Sequence, residues 1–153
     1  MPEADAARPA EPAELQGHFI EDMAVGMTAV LSRTVTETDI VLFAGISGDT
    51  NPIHLSQEFA AGSPFKGRVA HGMLTAGLIS GVLGTRLPGP GAIYLSQNLA
   101  FKAPVRIGDT VTVRATVTEV NRERRRVTMK TVCSVGATVV IDGEAVLLVP
   151  KKG

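Results

Sequence analysis

Between Phe43 and Ala60 the chain reads F-A-G-I-S-G-D-T-N-P-I-H-L-S-Q-E-F-A. A carboxylate (Asp49) and an imidazole (His54) stand five residues apart in this stretch. Gly48, Asn51 and Pro52 each favour a turn for a different backbone reason, so a rigid, non-helical turn is expected to hold the two groups together. Two acid/base groups so placed can grip one water from two sides and polarise it. That is what adding water to a substrate, or removing it, requires. Taken singly, Asp49 also reads as a turn-capping residue and His54 as a core histidine satisfied by a hydrogen bond.

Other chemistries find less support. His71 joins Asp49 and His54 as a third potential ligand, but no short-spaced His pair or cysteine cluster accompanies them, so no metal site is expected. Ser47 is not framed by a G-x-S-x-G elbow, which argues against a nucleophilic hydrolase. Neither a glycine-rich phosphate loop nor a dinucleotide fingerprint is present, and hydration needs no redox cofactor. Cys133 is the only cysteine; it falls in an alternating run and reads as a buried, inert thiol.

The elements that must position these residues follow from pattern. Residues 1–16 are rich in Ala, Pro and Glu and are expected to form a disordered tail, leaving residues 17–153 as a single domain. A strand is expected over 27–35. Thr36 can cap a short helix, with Asp39 favourably placed near its start, and Gly45 to Gly48 end it. Ser56 to Ala61 reads as one helical turn. His71 to Leu87 is the longest helical segment, apolar nearly all round, which implies burial on most faces. Its Gly77, Gly81 and Gly84 each cost about 1 kcal/mol against Ala, to be offset by close approach of a sheet, the favoured reading, or by space for a ligand chain. After Pro88–Gly91 the pattern alternates over 93–105, 110–120, 126–134 and 138–149, as in an antiparallel meander. The layout is α+β: a curved antiparallel sheet of about five strands around a long central helix.

Bulk composition narrows the field. Formal net charge is zero and aromatics make up 4% with no Trp, so neither a global field nor stacking platforms favour nucleic acid. Residues 1–100 carry ten acidic and five basic side chains, and residues 101–153 the reverse. The basic excess gathers in Arg122 to Arg126, with Lys102, Arg106 and Lys130 elsewhere in that half; a solvated hairpin tip or contact with ligand phosphates would both account for it. The 17 residues of 71–87 would span roughly 26 Å as a helix, short for a membrane crossing. The acidic start lacks a basic, apolar leader, so a cytoplasmic location is expected.

S-G-D-T-N-P-I-H ahead of such a helix resembles the hot-dog-fold MaoC-type hydratases, in particular the (R)-specific enoyl-CoA hydratases. Phe43, Ser47, Gly48, Asp49, Asn51, Pro52, Ile53, His54 and Ala60 match that family's signature, and His71, Gly72 and Met73 match its H-G-M block. L-P-G at 87–89, I-Y-L-S-Q at 93–97, F-K-x-P-V at 101–105 and G-D at 108–109 also match, so the resemblance covers residues 18 to 149. It implies reversible syn addition of water to a trans-2-enoyl-CoA, coenzyme A being part of the substrate and no cofactor being needed. Asp49 and His54 become the catalytic pair, Asp49 activating the water and His54 positioning it and returning a proton. Gly72, at the helix start, becomes the oxyanion-hole donor. Ser47, Gly48, Asn51 and His71 are expected to support the site. Ser80 is expected on the sheet-facing side of the helix, touching Asp49 or the acyl tunnel, and Leu83 to narrow the acyl pocket. Lys102, Arg106, Arg122 and Arg124 are candidates for the phosphates of coenzyme A. The family pattern is a homodimer. Rival readings are a hot-dog thioesterase, a dehydratase of carrier-protein-linked acyl groups, and a non-catalytic acyl-thioester-binding module.

Overall fold

The computed structural model describes residues 8–153. Period-two alternation produces five strands: β1 (Thr28–Thr34), β2 (Ile93–Phe101), β3 (Thr110–Asn121), β4 (Arg126–Val135) and β5 (Thr138–Leu148). They form one antiparallel sheet in the order β1-β3-β4-β5-β2. Only β3, β4 and β5 make the expected meander. β2 crosses to the far edge beside β5, and β1 closes the other edge beside β3, an order that strand periodicity does not encode. β2 was expected to run to residue 105 but stops at Phe101; beyond Lys102, Pro104 has no N–H to offer a ladder.

One face of the sheet carries Val111, Val113, Ala115 and Val117 from β3 and Val127, Met129 and Cys133 from β4, all at most 1% exposed. The long helix α5 (Gly72–Thr85) lies across β3, with lesser contact to β1, β4 and β2, and joins Ile79, Val82 and Leu83 to the same core. It ends two residues before the expected Leu87, because Arg86 leaves helical geometry (φ −120°, ψ −55°) ahead of Pro88. α5 is not buried all round. Gly72, Met73, Gly77, Ser80 and Gly84 are exposed, and a Cβ added at 77, 81 or 84 would meet nothing within 4 Å. Close approach of the sheet therefore does not account for these glycines.

Among the described residues four further α-helices precede α5. α1 (Pro12–Leu15) is a single turn where a disordered tail was expected over residues 1–16; Pro12 starts it, and the Glu14 carboxylate accepts the Glu11 N–H at 2.7 Å. Residues 1–7 of that tail lie outside the described residues. α2 (Glu37–Ser47) starts at a Thr36 capping box: the Thr36 hydroxyl accepts from Asp39 N at 3.2 Å, and Asp39 accepts from Thr36 N at 2.9 Å. α3 (Pro52–Leu55) and α4 (Gln57–Ala61) follow, capped by Asn51 and Ser56. Among the described residues no helix is long and apolar enough to cross a membrane.

Candidate active site

α2 ends where Gly48 takes the left-handed conformation (φ 75°), open to glycine without a Cβ penalty, and returns its N–H to Ala44 O. The chain leaves the helix axis there and presents Asp49. The Ser47 hydroxyl donates to Phe43 O at 2.7 Å and accepts the Asp49 N–H at 3.1 Å, fixing the backbone on both sides of Gly48. One carboxylate oxygen of Asp49, Oδ1, accepts the Asn51 N–H at 3.2 Å. Asn51 Oδ1 in turn accepts the Ile53 N–H at 3.1 Å. With Asn51 as cap and Pro52 in the first turn, residues 52–55 form the one-turn helix α3, so the segment expected to be wholly non-helical is helical where it carries His54.

The His54 ring is almost buried, its Nδ1 being 2.8 Å from Val69 O. A carbonyl only accepts, so Nδ1 carries the proton and donates. Nε2 is then the free nitrogen, 3.7 Å from Asp49 Oδ2. That gap is too long for a direct hydrogen bond, yet one solvent oxygen beside it can reach both atoms at ordinary distances of about 2.8 Å.

His71, the N-cap of α5, is 2% exposed. Its Nε2–H donates to the Asp49 main-chain oxygen at 2.9 Å. Its ring stacks on His54 with centroids 3.8 Å apart, and Phe43 lies 4.8 Å away at a tilt. Asp49, His54 and His71 each offer a ligand atom within 4.8 Å of the others. As a metal set they fit poorly: stacked rings send their in-plane lone pairs side by side rather than to a common point, and one nitrogen of each ring is already bonded to a carbonyl.

Asp49 and His54 line a cavity of about 480 Å³ whose remaining walls are largely apolar, among them Ile53, Val69, Met73, Phe101 and Ile141. Gly72 opens α5 on its wall. A first-turn N–H has no intrahelical acceptor and lies at the positive end of the helix dipole. A Cβ at Gly72 would come within 2.7 Å of the Phe101 ring, so only glycine lets that ring approach the helix start.

The remaining candidates separate. Lys102 is on the cavity wall; Arg106 lies next to it, donating to Phe65 O at 2.5 Å. Ser80 is solvent-exposed and off the cavity wall, not turned toward Asp49, because α5 presents that stripe away from β3. Leu83 is 1% exposed inside the core and does not line the cavity either. Arg122 and Arg124 sit in the β3–β4 turn, at the end of the sheet where Arg126 pairs with Leu148, whereas the cavity is at the end where Phe101 pairs with Ile141. Seven residues of strand separate the two, roughly 23 Å, so neither arginine reaches this chain's cavity.

A family model described as "MaoC like domain" matches residues 22–139. The chain belongs to the MaoC-like family. This MaoC-like chain is 58% identical over 139 residues to a 3-hydroxybutyryl-CoA dehydratase of Methylorubrum extorquens, covering 91% of this chain and 88% of the relative. It is 57% identical over 136 residues to an (R)-specific enoyl-CoA hydratase of Rhodospirillum rubrum, covering 89% and 94%. A solved (R)-hydratase from A. caviae, described as involved in PHA biosynthesis, superposes with a TM-score of 0.82 at 41% identity, covering 85% of this chain and 99% of that one. The hot-dog architecture is thus shared with an (R)-hydratase.

Sequence reasoning did not find Arg68, Val69 or Glu37. Arg68 Nε donates to His54 O at 2.6 Å, and its two terminal nitrogens donate to the Glu37 carboxylate at 2.9 Å each. No local signal marks these residues, since each meets the site only through long-range folding. Phe101 stood in a quoted block, F-K-x-P-V, but nothing in the sequence placed its ring against Gly72.

Proposed function

We propose that the protein is an (R)-specific enoyl-CoA hydratase that reversibly hydrates trans-2-enoyl-CoA to (R)-3-hydroxyacyl-CoA. The observation that carries this is the 3.7 Å separation of Asp49 Oδ2 and His54 Nε2 on the wall of an apolar cavity. Both atoms are acceptors once Asp49 is ionised and His54 Nδ1 is held as a donor by Val69. A water between them gives both hydrogens to protein and turns its lone pairs toward the substrate. Asp49 takes one proton as the oxygen attacks the β-carbon, with His54 orienting the water. Negative charge then develops on the thioester oxygen, which the Gly72 N–H and the start of α5 stabilise. The dyad returns a proton to the α-carbon on the same face, so the enzyme ends as it began. Ser47, Gly48 and Asn51 hold the Asp49 turn, and His71 braces it through the Asp49 carbonyl.

Coenzyme A enters as part of the substrate and no cofactor takes part. Lys102 on the cavity wall and Arg106 beside it would bind its phosphates, a reading supported by their position at the cavity. Residues 17–153 act as one unit in the cytoplasm, as a homodimer formed along the free edge of β2. Ile93, Tyr94, Leu95 and Phe101 of that strand are 38–56% exposed, an apolar strip on a strand with an unpaired edge. Crotonyl-CoA tests the reaction. Loss of enoyl absorbance without thiol release is expected; thiol release would indicate a thioesterase, and absence of both would sink the proposal.

A further inference from the structure

From the geometry we infer that Arg68 is a positioning residue for the dyad, acting through His54 with Glu37 as its anchor. This rests on the hydratase reading of the site. Residues 68 and 69 grip α3 through three hydrogen bonds and the start of α4 through a fourth. The Arg68 side chain donates to His54 O at 2.6 Å, and its N–H donates to Gln57 Oε1 at 3.2 Å. Val69 donates its N–H to Ile53 O at 3.3 Å and accepts from His54 Nδ1 at 2.8 Å. His54 is therefore fixed by its backbone through Arg68 and by its ring through Val69.

The other end of the guanidinium sets the distance that matters. Glu37 is the first residue of α2, the helix whose far end delivers Asp49 through Ser47 and Gly48. Its carboxylate takes a two-pronged pair from Arg68 at 2.9 Å on each side. Arg68 thus ties the helix leading into Asp49 to the helical turn carrying His54. It is a brace across the 3.7 Å gap rather than a wall of the cavity, and is absent from its lining. The guanidinium side chain is only 16% exposed and is neutralised by Glu37, so it adds little net charge to the site. Its three donating nitrogens point two ways at once. A lysine ammonium is a single point of charge and cannot reproduce that fork. Misplacing a catalytic group by about 1 Å costs on the order of 10²-fold in rate.

The test compares wild type with Arg68→Lys, Glu37→Gln and the double variant, by crotonyl-CoA kinetics, thermal unfolding and NMR of the His54 Nδ1–H resonance. Arg68→Lys should lower kcat at least roughly tenfold with KM within about twofold and a small change in Tm. Glu37→Gln should do the same more weakly, and the double variant should fall short of the product of the two effects. The His54 Nδ1–H resonance should shift or broaden in Arg68→Lys. Full kcat in Arg68→Lys, or kcat and Tm falling together in proportion in both single variants, would overturn the inference. If wild type itself leaves crotonyl-CoA untouched, the function is wrong, and the resonance alone decides the brace: an unmoved signal rejects it.

Discussion

Asp49 divides its two oxygens between jobs. Oδ1 is bound to the Asn51 N–H and fixes the carboxylate's rotation; Oδ2 is left facing His54 Nε2. Replacing Asp49 by Asn keeps the turn bond but removes the proposed base, so kcat should drop on the order of 10²–10⁴-fold while Tm stays near wild type. His54→Ala should drop kcat similarly; a steady-state assay on crotonyl-CoA checks both. Cys133 gives a second residue-scale expectation. It is fully buried, and burial pushes its thiol up to about 12. A thiol reagent at pH 8 should leave the native protein unlabelled and titrate one group after unfolding. These residues were legible in sequence because their signals are local: a turn with a carboxylate and an imidazole, and a lone cysteine in an alternating run. Arg68 was not, because its partners Glu37 and His54 are 31 and 14 residues away in the chain.

At the scale of elements, α2 matters because Asp49 is delivered from its end. Its Thr36 hydroxyl accepts the Asp39 N–H, while the Asp39 carboxylate accepts the Thr36 N–H and pairs with Arg33 at 2.6 Å. The hydrogen bond from the Thr36 backbone, helped by the Thr36 hydroxyl and Arg33, holds the Asp39 carboxyl below its ordinary value against a smaller opposing effect of burial. The sign follows from linkage. A carboxylate whose folded value is depressed stabilises the fold above the unfolded value of 3.8, and that share is lost as pH falls from there through the folded value. Asp39→Asn should therefore flatten the acid limb of stability against pH, measured by urea unfolding between pH 6 and 3. Thr36→Ala should cost about 1 kcal/mol at neutral pH. The cap was readable from Thr36 and Asp39 alone. The helix over 52–55 was masked by turn-forming residues that here act as its cap and first position, and the end of β2 depended on Pro104 lacking a donor.

For the whole molecule, two distributions separate near from far. Lys102 is on the cavity wall, while Arg124 is at the opposite end of the sheet. Lys102→Glu should raise KM for crotonyl-CoA several-fold with little change in kcat, and Arg124→Glu within the same chain should not act through its own cavity. Sedimentation should give about twice 16.0 kDa, and Leu95→Lys on the β2 edge should shift it toward one copy. Strand periodicity revealed the five strands found among the described residues but not their order, since pairing across the sheet is a non-local choice.

The bare side of α5 has a practical use. Gly77, Gly81 and Gly84 face room for a side chain and lie off the cavity wall, so they can be changed without touching the site. Replacing each in turn by Ala should raise Tm at unchanged crotonyl-CoA turnover, because alanine favours a helix over glycine by about 1 kcal/mol.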